Sequence, residues 1–149
     1  MDRILDRVWI GDWHDGASTQ IRKQCYINAV LNLAKELPII TWETEIYKKV
    51  DIVDGTPIPK EILKECLDFI HEHVRKKERI LIHCAAGVSR SVAILMAYMY
   101  ECGWNLDEAL LYIRSKRPVA NPNPILLESI MEYYEIDIMK ELEVLRNVK

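Results

Sequence analysis

Arg79-Ile80-Leu81-Ile82-His83-Cys84-Ala85-Ala86-Gly87-Val88-Ser89-Arg90-Ser91 runs from an apolar segment through a glycine-containing loop into a helical pattern. Its first part, Arg79 to Ile82, is an apolar, largely β-branched run that suits a short buried strand. After it, Ser91 to Cys102 carries Val92, Leu95, Met96 and Met99 on one helical face, and Gly103 supplies a C-terminal stop. The residues between therefore join a strand end to a helix N-terminus, where free backbone N–H groups and the helix dipole favour an anion. Gly87 permits a sharp turn, so that successive N–H groups converge on one point as in an anion nest.

The side chains in this loop extend that reading. Cys84 falls at the floor of the nest, and electropositive surroundings favour the thiolate, the nucleophilic form of cysteine. Arg90 offers a planar fork that matches two equatorial oxygens of a phosphoryl group and stabilises charge in a transition state. The backbone of Ala85, Ala86, Gly87, Val88 and Ser89 completes the expected phosphate cradle with Arg90. His83 suits a role in orienting the cysteine rather than as a base, because a thiolate needs none. Ser91 is placed to donate a hydrogen bond to the sulfur when it leaves. The plainer alternative is a buried structural cysteine beside a surface-paired arginine; the glycine turn and the Ser-Arg-Ser context argue against it.

Working outward, strand patterns at about 7–10, 26–33, 47–53 and 79–83 alternate with helical ones. The expected class is α/β, one domain with a central, mostly parallel β-sheet flanked by helices and the phosphate-binding loop between a strand and a helix. From Pro59 to Lys76, Ile62, Leu63, Cys66, Leu67, Ile70 and Val74 share a face, with Pro59 at the N-terminus. Asn105 and Glu108 form a capping-box pattern that opens a helix through Lys116. Pro118, Pro122 and Pro124 precede a last helix expected over about 125–146. The segment from Glu36 to Tyr47, broken by Pro38, fits either the rim of a site or a loop packed on the core.

The stretch His83–Ser91 resembles the signature of the cysteine-dependent protein phosphatases, specifically the dual-specificity branch. The likeness extends over nearly the whole chain: Ile4–Gly11 with Ala17 resembles that domain's opening strand, and Ile27–Ala34 its second strand. Arg117-Pro118 and Pro122-Asn123 resemble the segment that packs behind the phosphate loop, which implies a supporting role for Asn123. Ile125-Leu126 replaces the family's usual Gly-Phe, and Ser129 stands where Gln is common. The family takes its leaving-group proton from an aspartic acid on a mobile loop after a strand. Asp51 and Asp54 are both candidates here; Asp54 aligns with the acid position, and Gly55-Thr56-Pro57 gives it a loop. Glu36 to Tyr47 corresponds to a region that often borders the active-site mouth.

The resemblance implies hydrolysis of phosphotyrosine, and of phosphoserine or phosphothreonine, through a cysteinyl-phosphate intermediate, with Cys84, Arg90, Asp54, Ser91 and His83 as the catalytic set. No cofactor and no metal are expected, since Arg90 and the loop amides supply the positive field. Lysines inside the loop mark phosphoinositide phosphatases of this superfamily. Ala85, Ala86 and Val88 argue against such head groups and against RNA triphosphates. A phosphate-binding module without turnover is the alternative of a different class; such proteins usually lack the cysteine, the arginine or the acid.

Composition sets the outer bounds. A chain of 149 residues fits one domain, 1–149, with a full core. A net charge of −3 gives no basic footprint for nucleic acid. No apolar run reaches the ~20 residues of a membrane span, and the N-terminus has no signal-peptide pattern. Cys25, Cys66, Cys84 and Cys102 show no paired metal spacing, and the expected setting is reducing and cytoplasmic. The expected partner is a phosphorylated protein or peptide; the sequence leaves the oligomeric state open.

Overall fold

The structure is a computed structural model and describes residues 1–148. Its sheet has five strands: β1 (Asp2–Leu5), β2 (Val8–Gly11), β3 (Ala29–Ala34), β4 (Ile46–Ile52) and β5 (Ile80–His83), in the order β1-β2-β5-β3-β4. Only β1 pairs antiparallel, with β2; the other pairings are parallel. The helices are α1 (Trp13–Ala17), α2 (Thr19–Gln24), α3 (Lys60–Arg75), α4 (Arg90–Glu101), α5 (Leu106–Lys116), α6 (Pro124–Tyr133) and α7 (Ile138–Arg146). The α/β class and the mostly parallel sheet are as expected from the sequence.

Period-two alternation decides which face of the sheet each side chain joins. Val8, Ile10, Ala29, Leu31, Ile80 and Ile82 enter the main core, whereas Trp9, Val30 and Leu81 enter a smaller cluster on the other face. Helix α4 lies in the main core, buried from Val92 to Met99 and flanked by α3, α5 and α6. A helix so apolar around its circumference is stable only where other elements cover it on all sides. The strands that are mutually parallel deliver their following loops to one edge. That edge receives the turn into α1, the loops after β3 and β4, and the loop from β5 to α4.

The structure departs from the sequence reading in two places and fills in a third that the sequence left open. The helix expected over 125–146 is two helices, parted at Tyr134–Asp137, where Glu135 adopts φ +55 and Asp137 caps α7 through the Lys140 N–H (3.1 Å). Strand β1 carried no separate signal in the sequence, because four residues paired to one neighbour show little alternation. The Glu36–Tyr47 segment is anchored by a fully buried arginine. Arg22 Nε and Nη2 donate to Glu45 Oε2 and Oε1 (2.9 and 3.0 Å), and its remaining N–H groups reach the carbonyls of Asp15, Gly16 and Ile40. All five donors of the guanidinium are thereby used. Trp42 covers this pair, its ring centroid 5.4 Å from the Arg22 guanidinium carbon.

Candidate active site

The loop between β5 and α4 is held from outside by its carbonyls. Ala85 O accepts from Trp13 N (2.9 Å), Gly87 O from Arg117 Nε (2.7 Å), Ala86 O from Arg117 Nη2 (3.4 Å) and Val88 O from Asn121 N (2.8 Å). In a trans peptide, the C=O of one residue and the N–H of the next point to opposite sides, and no peptide bond here is cis. Four outward carbonyls therefore turn the N–H groups of Ala86, Gly87, Val88 and Ser89 into the loop. Among the described residues, none of these four donates to a protein acceptor. Converging donors of this kind form an anion cradle.

Gly87 makes the turn possible. Its φ is +66, and a Cβ there would lie 2.4 Å from Arg117 Nη2 and 2.7 Å from the Gly11 carbonyl oxygen. Ser89 precedes α4 as its cap residue, and its Oγ accepts from the backbone N–H of Asn123 (2.9 Å). The support expected from Asn123 thus runs through its main chain. Its side chain caps α6 instead, accepting from Ile125 N (3.0 Å).

Cys84 is 2% exposed, and its Sγ lies 3.3 Å from Ser91 Oγ in the first turn of α4. His83 closes β5 and is buried; its Nδ1 lies 3.5 Å from the Cys84 carbonyl, so the ring touches the cysteine's main chain rather than its sulfur. Burial pushes the imidazole down to about 4, which keeps it neutral at ordinary pH.

Arg90 is held by a residue the sequence did not single out. Its Nη1 donates to Glu36 Oε1 (2.7 Å) and to the Ile52 carbonyl (2.8 Å), and its Nη2 donates to Glu36 Oε2 (2.6 Å). Glu36 takes the end of the guanidinium. The side fork, Nε–H with the second Nη2–H, is left without a protein partner among the described residues, and it is a bidentate edge suited to two oxygens of one anion. The guanidinium in turn holds the Glu36 carboxyl down to about 2. Glu36 was missed because its partner lies 54 positions away; only the bounding of the mouth by this segment hinted at it.

The two candidate acids part company. Asp51 lies within β4, and its carboxylate pairs with Lys49 Nζ (2.7 Å). Asp54 lies past the strand in an exposed turn and lines a cleft of about 520 Å³ with Lys35, Glu36 and Val53. The Arg90 guanidinium is held protonated first by its hydrogen bonds to Glu36, with the negative charge of Asp54 adding in the same direction. The turn is tied down further on, where Ile58 N donates to Ser129 Oγ (2.9 Å). Ser129 thus anchors this loop to α6.

Among the described residues, no three His, Cys, Asp or Glu side chains come together as a metal site, and no helix is long and apolar enough to cross a membrane. An anion cradle at the carboxyl edge of a parallel sheet, with a cysteine beneath it and an arginine fork beside it, defines a phosphate-ester site.

The chain belongs to the dual-specificity phosphatase family: the family model for the dual specificity phosphatase catalytic domain matches residues 8–136. It is 32% identical over 143 residues to Dual specificity protein phosphatase 1 of Arabidopsis thaliana, covering 95% of this chain and 70% of that protein. It is 31% identical over 138 residues to Protein phosphatase Slingshot homolog 3 of Rattus norvegicus, covering 90% of this chain. The chain spans only 21% of that relative's length. Among solved structures, Tk-PTP in the active form is 31% identical with a TM-score of 0.73, covering 89% of this chain and 95% of that one. Human DUSP28 superposes with a TM-score of 0.82 at 23% identity, covering 91% and 96%; this similarity concerns the fold alone.

Proposed function

We propose that residues 1–149 form one dual-specificity-type catalytic domain that hydrolyses phosphotyrosine, and phosphoserine or phosphothreonine, in protein substrates. The observation that carries this reading is the loop itself: its carbonyls are tied outward so that four N–H groups turn inward, Cys84 Sγ lies 3.3 Å from Ser91 Oγ, and Arg90 is fixed by Glu36 with a side fork unpartnered among the described residues. In the first step the Cys84 thiolate attacks phosphorus, an S–P bond forms and the ester P–O bond breaks. Asp54 gives its proton to the leaving oxygen. In the second step the Asp54 carboxylate takes a proton from water, the water oxygen attacks phosphorus, and the thiolate leaves as inorganic phosphate forms. Ser91 Oγ, 3.3 Å from the sulfur, donates to the departing thiolate. Arg90 and the loop amides hold the equatorial oxygens throughout and stabilise their charge in the transition state. Glu36 is a positioning residue: it fixes the guanidinium so that its side fork faces the loop.

The reaction needs no cofactor, because each charge that develops has a protein group to meet it. A nucleophilic thiolate is preserved in a reducing setting, which supports placement in the cytoplasm. The test is turnover of p-nitrophenyl phosphate, then of a panel of phosphotyrosyl, phosphoseryl and phosphothreonyl peptides beside phosphoinositides. Hydrolysis of phosphopeptides, lost in Cys84→Ser while orthovanadate still binds, is the expected result. Stoichiometric anion binding with no turnover would make the chain a phosphate-binding module.

A further inference from the structure

On the face of the sheet away from the main core, a second cavity lies beside the phosphate loop. It holds about 240 Å³ and is lined by Trp13, Gly16, Ala17, Leu37, Pro38 and Ile40, with the His83 ring as its polar element. It sits there because β5 alternates: Ile80 and Ile82 face α4, whereas Leu81 and His83 face the thin layer made by α1, α2 and the segment after β3. Gly16 makes room for the ring, since a Cβ at that position would lie 2.4 Å from His83 Cε1 and 2.8 Å from Nε2.

The polarity of this cavity is specific. His83 Nδ1 faces the Cys84 carbonyl and, in the neutral ring, carries the proton toward it. Nε2 is then an acceptor, and it is buried with no hydrogen-bond partner among the described residues. A buried acceptor without a donor costs free energy that a bound donor recovers. The cavity exceeds the ~150 Å³ that suffices for benzene in an apolar core, and it has one polar atom in an otherwise aliphatic and indole-lined wall.

We propose that this cavity is a binding site for a single-ring aromatic molecule bearing one hydrogen-bond donor, of the phenol kind, with the O–H on His83 Nε2 and the ring between Trp13 and the Leu37–Ile40 segment. The site is distinct from the phosphate cradle, although Trp13 N and His83 Nδ1 both reach carbonyls of the 84–85 segment. The inference does not depend on turnover.

Binding to the full chain is measured by NMR titration of its backbone amides with phenol and, in parallel, with toluene, which has the same shape and no donor. Phenol is expected to bind about tenfold more tightly, the factor a single recovered hydrogen bond supplies, with shifts centred on 13–17, 37–40 and 83. Saturation with orthovanadate is expected to leave the phenol affinity within twofold. Ala17→Phe, which fills the cavity from an exposed position, is expected to abolish phenol binding and leave vanadate binding unchanged. Equal affinities for phenol and toluene in the parent chain would overturn the proposal whether or not Ala17→Phe folds. So would displacement of phenol by vanadate, which would place the ring in the phosphate cradle.

Discussion

At Gly87 a single added methyl group meets both constraints on the loop at once, a positive φ and a wall of Arg117 and Gly11. Gly87→Ala is expected to cost about 1–3 kcal/mol of stability through backbone strain and to weaken vanadate binding at least tenfold. Parent-like vanadate affinity in a folded variant would show that the loop closes without this turn. Arg90 separates charge from shape. Arg90→Lys keeps the charge but cannot present two parallel donors, so its loss of kcat/KM should approach that of Arg90→Ala. Recovery of most of the activity by lysine would make Arg90 a point charge. The acid is tested by leaving-group dependence: Asp54→Asn should lower turnover of alkyl and tyrosyl phosphates by roughly 10²–10⁴-fold, less for good leaving groups, and Asp51→Asn much less. The reverse pattern would move the acid to Asp51, against its pairing with Lys49. Sequence carried most of this scale, because Cys84, Arg90 and Ser91 are local to one motif. It did not carry Glu36, whose meaning depends on a contact between the ends of two non-adjacent segments.

At the scale of elements, the strands and helices that bury one strong face were legible, and those that depend on partners were not. The stripe in α3 and the Asn105–Glu108 pattern of α5 appear where their spacing puts them, with Asn105 N donating to Glu108 Oε1 (3.3 Å). The division between α6 and α7 was hidden because Tyr134, Ile138, Leu142 and Leu145 continue the apolar content across the break. A residue at positive φ such as Glu135 gives little warning in the sequence. The segment after β3 was opaque for another reason: its order comes from Arg22, an arginine that looks like a surface residue of α2 but is fully buried on Glu45. Arg22→Met is expected to destabilise the chain by about 3–5 kcal/mol, because it leaves the Glu45 carboxylate buried without its partner. Adding Glu45→Met should recover only the part of that loss due to the stranded carboxylate, since the carbonyls of Asp15, Gly16 and Ile40 still lack their donor, as measured by urea denaturation of both variants. A single-variant loss below about 1 kcal/mol would mean that water reaches Glu45.

For the molecule as a whole, the parallel sheet explains why distant residues meet: α1 and the loops after β3, β4 and β5 all leave from one edge. Two groups brought there couple stability to pH with the same sign. His83 is held down to about 4 by burial and Glu36 down to about 2 by Arg90, so the unfolded chain binds more protons than the folded one below each ordinary value. Stability should therefore fall as pH drops from about 6.5 to 4 through His83, and from about 4.5 to 2 through Glu36. His83→Gln should flatten the upper window and leave the lower one, and Glu36→Gln the reverse. A parent whose unfolding free energy is level between pH 6.5 and 4 would contradict the buried neutral imidazole. In the proposed reaction, phosphate passes through the Cys84 sulfur. The most direct measurement mixes the protein with excess p-nitrophenyl phosphate, stops turnover within milliseconds by denaturation at neutral pH, and locates covalent phosphate by peptide mass spectrometry. Phosphate is expected on the peptide containing Cys84, at increased occupancy when Ser91→Ala slows departure of the thiolate, and none in Cys84→Ser. Rapid turnover with no phosphate on that peptide in either the parent or Ser91→Ala, or undiminished turnover in Cys84→Ser, would contradict passage through the sulfur.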